Sequence, residues 1–382
     1  MGKKIFLFTQ YNVPDNGRSI ASPIAGITYV DYIKKCIKSL GNSISVVSVS
    51  GGLGKSYFTK KIINVDSKET LVFLPTLNQQ GSSFRLRISE LFIYFQVFLF
   101  LLTKTRTGDI IVVYHDYGLS FCFYYLRKIF PKRQYITIVA ELFSAVALKP
   151  LSDINHEMGL FKGVNNYIFI NNILPKYFGK NIKYAVAHGN YESINCRRGD
   201  KSQKDINVVY AGKIDSKEIT DAFLAVESSR FLCENYHVFI LGYGKKNDIE
   251  LLLDLINKVN SEVGFDVVSY EGCLTGKEYD DFLNRCQIGL CTRAMPEPYC
   301  NFCFPSKTIV YLTHGLRVIC PQSSNIVTSN VSSFIDYIEG DVNAENVAKA
   351  VMKSGINTKN DISENLFRID QGFKSDLRVI LN

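Results

Sequence analysis

The sequence predicts an α/β protein made of two consecutive doubly wound domains, each a mostly parallel sheet with helices on both faces. Three observations carry this prediction. Short apolar runs alternate with segments of helical period from residue 3 to residue 187, the same alternation restarts after residue 205, and the most polar stretch of the chain lies between them. A length of 382 residues suits two domains of ~150 residues each. Hydrophobic residues at 46% and charged residues at 21% exclude a disordered or fibrous chain.

Residues 3–9 (KKIFLFT) form the first buried strand. Residues 23–40 follow as a helix, with Ile24, Ile27, Val30, Ile33, Ile37 and Leu40 at helical spacing and Gly41 as its stop. Residues 43–49 (SISVVSV) and 70–74 are strands, and 83–102 is a very apolar helix candidate. Strands at 109–114 (DIIVVY) and 135–139 (YITIV) flank an aromatic helix over 119–130, and 166–170 and 184–187 complete the first sheet. Residues 196–205 (CRRGDKSQKD) hold no aliphatic side chain and read as the linker. The N-terminal domain is then 1–195 and the C-terminal domain 206–355. In the latter, strands at 207–210, 237–241, 266–270, 288–291 and 317–320 alternate with helices over 218–229, 248–259 and 276–286 and one starting at Ser306. Residues 356–382 are expected to be helical and to pack back towards the N-terminal domain.

The longest apolar run, 91–102 (LFIYFQVFLFLL), has 12 residues. A spanning helix needs ~20, so no transmembrane segment is expected. The run is flanked by Arg85, Arg87 and Lys104, a pattern that could lie on an anionic membrane surface. Because it is apolar all round, burial between sheet and helices is the expected reading. The N-terminus turns polar at Gln10, Asn12 and Asp15, unlike a signal peptide, so a cytoplasmic location is expected. Ten scattered cysteines fit reduced thiols. A net charge of +8 fits an anionic substrate or membrane surface, and without a dense basic stripe no nucleic-acid partner is expected.

Several local patterns bear on chemistry. Residues 51–56 (GGLGKS) end like a phosphate-binding loop, but the glycine required five positions before Gly54 is Val49. Cys300 and Cys303 form a CxxC, yet Cys286 and Cys291 are too widely spaced to supply a second doublet, so no metal is expected. Gly242 and Gly244 follow a strand but lack the third glycine of a dinucleotide fingerprint, Asn247 standing there. They still let backbone approach a ligand at the carboxyl edge of a sheet. Pro305, Ser306, Lys307 and Thr308 open a helix that Gly315 closes. Its free N–H groups, hydroxyls and cation suit a diphosphate.

The stretch from Glu297-Pro-Tyr through Phe304-Pro-Ser-Lys-Thr-Ile-Val-Tyr-Leu-Thr-His-Gly-Leu-Arg-Val-Ile319 resembles the donor-site segment of GT-B glycosyltransferases, especially GT4-like bacterial polysaccharide and capsule enzymes. The segment 208–213 (VVYAGK), Gly242-Tyr-Gly244, Glu271-Gly272 and Pro23-Ile-Ala-Gly26 fall in the same family order. The resemblance implies a GT-B fold, two Rossmann-like domains facing a cleft. It implies metal-independent, retaining transfer of a hexose from a nucleotide sugar, UDP-linked by preference. The acceptor would be a saccharide or lipid-linked saccharide in surface polysaccharide synthesis, and the only cofactor-like molecule the nucleotide-sugar co-substrate.

By the same resemblance, Lys213 and Lys217 would meet the diphosphate, with Pro305, Ser306, Lys307, Thr308 and Arg293 at the phosphates. Gly242, Tyr243, Gly244 and Gly272 would lie near the nucleoside, Glu297 towards the sugar, and Gly26, His115 and Glu141 on the acceptor side. His115, Glu141 and Glu297 are the catalytic candidates. Absence of an Asp-x-Asp element agrees with a diphosphate neutralised by helix and cations rather than metal. Two departures stand out. Val310 occupies the position of the family's ribose-binding Glu, and the basic pair begins with Lys and is one residue closer. The first, Val310, keeps open a rival reading, a non-catalytic nucleotide-sugar-binding partner subunit. Peripheral contact with the inner membrane face and a homodimer also stay open.

Overall fold

The computed structural model describes residues 3–13, 24–50, 57–78, 82–193, 205–217, 221–354 and 359–382. Two compact units make up the chain, Met1–Gly189 with Gly372–Asn382, and Asn190–Gln371. The glycine-rich 51–56 stretch and most of the expected linker lie outside the described residues.

The first unit runs β1 (Lys4–Thr9), α1 (Ile24–Ser39), β2 (Ser43–Ser48), β3 (Tyr57–Phe58), β4 (Lys61–Asn64), β5 (Glu69–Phe73), β6 (Thr76–Leu77), α2 (Ser83–Lys104), β7 (Ile110–Tyr114), α3 (Tyr117–Ile129), β8 (Gln134–Val139), α4 (Phe143–Val146), α5 (Leu151–Phe161), β9 (Asn166–Phe169) and β10 (Lys183–Val186). Eight strands form one sheet in the order β10-β9-β8-β7-β1-β2-β5-β4, parallel except for the edge strand β4. The near-continuous apolar β1, with Ile5, Leu7 and Phe8 fully buried, is what a central strand covered on both faces requires. Strand order reverses between β1 and β7, so the carboxyl ends of these two strands form the switch point where open α/β sheets take ligands.

Helix α2 corrects the burial expected for residues 91–102. It has 22 residues and is by length and composition apolar enough to cross a membrane. One face, with Ile93, Val97, Phe100 and Leu101, packs on the sheet, Phe100 lying edge-to-face on Phe6 and Phe8 at 5.6 and 5.7 Å. The other face leaves Phe84, Leu91, Phe95 and Leu102 exposed. A run that is apolar all round does not reveal which side meets the sheet, and a helix on the outer layer has one covered side.

The second unit runs β11 (Ile206–Ile214), α6 (Ala222–Ser228), β12 (Tyr236–Gly244), α7 (Lys246–Val263), β13 (Val268–Gly272), α8 (Gly276–Leu283), β14 (Ile288–Leu290), α9 (Ser306–Thr313), β15 (Arg317–Pro321), α10 (Ser324–Val327), β16 (Ile335–Ile338) and α11 (Ala344–Lys353). Its six parallel strands take the order β13-β12-β11-β14-β15-β16, the Rossmann order, with the switch point between β11 and β14. β11 and β12 run on past the expected ends at 210 and 241 to Ile214 and Gly244. There Gly212 pairs with Gly242, whose φ is +153°, and a Cβ on Gly242 would lie 1.8 Å from the Gly212 carbonyl oxygen. Only glycine permits that approach. The last helix, α12 (Lys359–Leu381), ends on the first unit. Phe373 stacks on Tyr32 at 5.6 Å, and the Leu381 carbonyl accepts a hydrogen bond from Lys3 Nζ at 2.7 Å.

Candidate active site

In the second unit the carboxyl ends of β11 and β14 and the first turn of α9 converge on one side chain, Lys307. Its ammonium lies 3.2 Å from Asp221 Oδ1 and 3.9 Å from the centroid of the Tyr210 ring. Space for it exists because Gly212 has no side chain: a Cβ there would sit 2.4 Å from Lys307 Nζ. The register of α9 is set one turn later by Tyr311. Its buried ring occupies the room left by Gly289, where a Cβ would come within 2.3 Å, and its hydroxyl accepts the Ala211 N–H at 2.8 Å. Residues 307 and 311 share a helix face, so fixing Tyr311 against β11 and β14 places Lys307 over the strand ends. Thr292, just past β14, donates its hydroxyl to the Asp221 carbonyl at 3.1 Å and ties the start of α6 to the same point. Burial first, then the Asp221 carboxylate, pushes the Tyr210 phenol well above its ordinary range, so it stays neutral.

The other predicted donor residues are distributed around this point. Lys213 is the penultimate residue of β11, mostly exposed and paired with Asp215 at 2.6 Å. Lys217 is exposed, and its backbone N–H bonds the same carboxylate at 3.1 Å. Hydrogen bonding from Lys213 leads the effects that hold the Asp215 pKa down. Tyr243 is 59% exposed between Gly242 and Gly244, while Gly272 turns the end of β13 with φ +80°. The Gly242 carbonyl accepts the Tyr270 hydroxyl at 2.9 Å. Pro305 occupies the N-cap position of α9 without a side-chain cap, and Ser306 is exposed in its first turn. Thr308, by contrast, is fully buried with its hydroxyl 3.7 Å from Cys291 Sγ, so that hydroxyl serves the core rather than the strand-end surface. Arg293 is exposed in the loop after β14. Glu297 accepts from Ser324 Oγ at 2.7 Å and from the Ser324 N–H at 3.3 Å. Burial would raise its pKa, but hydrogen bonds from Cys300 and Ser324 outweigh that and keep it ionised.

In the first unit, His115 and Glu141 follow the adjacent parallel strands β7 and β8 at the carboxyl edge. His115 is 2% exposed and rests against the rings of Tyr114 and Phe143, centroids 4.7 and 5.0 Å away. Its Nδ1 accepts the Ala140 N–H at 3.3 Å, which puts the ring proton on Nε2, and Nε2 has no hydrogen-bond partner among the described residues. Burial lowers its pKa to about 3, so the ring is neutral at physiological pH and available as a donor, not as a cation. Glu141 is partly buried, and burial, then repulsion from Glu157, raises its pKa. Glu157 itself is engaged, accepting the Phe143 and Ser144 N–H groups at 2.8 Å each. Gly26 lies on α1, where a Cβ would come 3.6 Å from the Tyr114 hydroxyl. The structure thus gathers Gly26, Tyr114, His115 and Glu141 at one edge of the first sheet, and Lys213, Gly242, Ser306 and Lys307 at one edge of the second.

Asp221, Tyr210 and Thr292 were not singled out from sequence. Asp221 precedes Lys307 by 86 residues, and no spacing rule joins them. The one available signal was a carboxylate opening a helix just after a strand. Among the described residues no group of three or more His, Cys, Asp and Glu side chains could hold a metal ion. Cys303 Sγ instead contacts the Cys300 carbonyl at 3.9 Å, and Cys300 Sγ contacts Ser324 Oγ at 3.4 Å.

No family model matches the sequence, and no curated protein sequence matches it. Solved structures do. One described as trehalose-6-phosphate from E. coli bound with UDP-2-fluoro glucose superimposes over 100% of this chain and 99% of its own, with TM-score 0.67 at 10% identity. An α,α-trehalose-phosphate synthase (UDP-forming) from Burkholderia xenovorans, in complex with glucose-6-phosphate, matches over 100% of both chains with TM-score 0.66 at 9% identity. A third, a trehalose-6-phosphate synthase studied for glycosyltransfer with retention, covers 100% of this chain and 99% of its own with TM-score 0.62 at 12% identity. The fold is therefore that of the GT-B glycosyltransferases: two Rossmann-like α/β units spanning the whole chain.

Proposed function

We propose that this protein is a retaining glycosyltransferase of GT4-like type that moves a hexose from a nucleotide sugar, UDP-linked by preference, to a saccharide or lipid-linked saccharide in surface polysaccharide synthesis. The observation that carries the reading is Lys307, held at the switch point of the second sheet in the room that Gly212 leaves, where β11 and β12 pair closely at Gly212 and Gly242. Donor cleavage builds negative charge on the departing diphosphate. A lysine already held there by Asp221 and Tyr210 exchanges a carboxylate for a phosphate with little reorganisation. Lys213, Arg293 and the first turn of α9 add positive potential. To Glu297, kept ionised by its hydrogen bonds, we assign the contact with the sugar. On the acceptor side, we assign the acceptor contacts to Gly26, Glu141 and the neutral, buried His115, which lie at the carboxyl edge of the first sheet.

The UDP-sugar and sugar phosphate named for the similar structures support a hexosyl donor and a sugar acceptor, and the glycosyltransfer with retention studied on one of them supports the stereochemistry. Exposed Phe84, Leu91, Phe95 and Leu102 on α2, with Arg85, Arg87 and Lys104 on the same helix, support peripheral contact with an anionic membrane face, where a lipid-linked acceptor resides. Val310, in place of the family Glu, favours the rival reading of a non-catalytic binding subunit.

One assay separates the two readings. Purified protein is incubated with UDP-glucose, UDP-galactose and their N-acetyl forms, and release of UDP is followed alongside thermal shift. A catalyst gives both stabilisation and slow hydrolysis, and a ligand at 100 times its Kd stabilises by about 2.7 kcal/mol. Stabilisation without hydrolysis supports the binding subunit. No shift with any nucleotide sugar refutes both.

A further inference from the structure

The first sheet has a second concave surface, at the opposite edge from His115 and Glu141. Where β8 begins at Gln134 and β9 at Asn166, the last turns of α3 and α5 leave a groove of about 700 Å³. That volume falls within the ~300–1,000 Å³ of small-molecule sites. Four cations line it, Arg127, Lys128, Arg133 and Lys162, and the lining contains no carboxylate.

Their engagements differ. Arg133 serves the fold, donating to Thr105 Oγ1 at 2.7 Å and the Leu101 carbonyl at 2.9 Å at the end of α2. Lys128 and Lys162 are exposed near helix C-termini, where cations are favoured by the helix dipole without any ligand. Arg127 is different. It is half-buried, stacks over the Tyr124 ring at 4.9 Å, and has no hydrogen-bond acceptor and no carboxylate among the described residues. Burial works against its charge. The chain makes room for it with Gly163, whose φ is +92° and where a Cβ would sit 2.6 Å from Arg127 Nη2. Beside it a crevice of about 10 Å³ runs under the groove, lined by Ser120, whose buried hydroxyl also has no hydrogen-bond partner among the described residues. A guanidinium with unused donors, next to an unused hydroxyl and two further cations, is a set of groups that lacks an anion.

We propose that this groove binds a phosphate-bearing anion, with the Arg127 guanidinium as its principal ligand, Lys128 and Lys162 as supporting charges, and Tyr124 and Tyr135 as walls. The planar fork of arginine pairs two oxygens of a phosphate at once, which a lysine cannot do. The same chemistry is offered by a soluble phosphate ester and by an anionic lipid headgroup.

The test uses the full chain and inorganic pyrophosphate, in a Lys213→Ala/Lys307→Ala background that removes the proposed donor site from the titration. Calorimetry should show one saturable site, and adding Arg127→Gln should weaken it by about tenfold or more, the loss expected for a charge-assisted pair. Lys162→Gln should weaken it less, raised salt should weaken it generally, and Arg127→Lys should recover only part. Circular dichroism confirms the fold. Should Arg127→Gln misfold, Arg127→Lys and Lys162→Gln carry the comparison. Absence of binding in the background protein, or binding that these charge changes leave unaltered, overturns the proposal. Sedimentation with phosphatidylglycerol vesicles that Arg127→Gln abolishes assigns a lipid headgroup. Pyrophosphate binding without sedimentation assigns a soluble ligand.

Discussion

Replacing Lys307 by Ala should damage turnover and stability together, and the structure allows the two losses to be separated. Lys307 Nζ and Asp221 Oδ1 are 3.2 Å apart, with side chains 27% and 12% exposed. At an effective dielectric of ~20 their gross attraction is about 5 kcal/mol. Most of that is offset by withdrawing both charges from water. Lys307→Ala leaves the Asp221 carboxylate without its cation, and with the lysine partly solvated the net cost is about 2–3 kcal/mol. In a unit of this size that lowers Tm by roughly 5–10 °C. Asp221→Asn in the Lys307→Ala background should return most of the lost Tm, because no buried charge is then stranded, but should return no activity. Turnover with a UDP-sugar should fall ~10²-fold or more in Lys307→Ala, about 3 kcal/mol of transition-state stabilisation. Lys307→Arg should retain part of it. Thermal melts and steady-state kinetics on wild type, the three variants and Asp221→Asn complete the comparison. Wild-type turnover in Lys307→Ala refutes the donor-site assignment. An unchanged Tm in the same variant refutes the ion pair as a buried interaction.

Two glycines should respond in opposite ways. Gly212→Ala places its methyl against the mobile end of Lys307, so stability should hold to within about 1 kcal/mol while turnover falls as the ammonium is displaced. Gly242→Ala meets the Gly212 backbone and a positive φ, and should lower stability by more than ~2 kcal/mol, read from the denaturation midpoint. The buried His115 should make folding acid-sensitive: its pKa is about 3 in the native state against 6.5 as an ordinary histidine. The unfolded chain therefore binds the proton first, and stability is full above pH 6.5 and declines as pH falls towards 3. The slope is about 1.4 kcal/mol per pH unit for one proton. Urea denaturation across that range should show the slope in wild type and lose about one proton of it in His115→Asn.

The strand–helix alternation, most strand positions and the helix opening at Ser306 were legible in the chain, because apolar period and helix signals are local. The prospect of a cation at a helix start was legible for the same reason. How that cation is held was not. Asp221, Tyr210 and Gly212 come to Lys307 only because parallel pairing sets β11 beside β14 and Tyr311 fixes the register of α9. The exposed side of α2 escaped as well, since an all-apolar run carries no mark of the face that meets the sheet. The same holds for the unsatisfied Arg127. In sequence it is one of two cations ending a helix, and only the path of the 162–166 loop shows that no carboxylate among the described residues answers its charge. Local sequence determines which elements form and where they end. The side chains that meet at strand ends, and the ones left without a partner, are decided by contacts between residues far apart along the chain.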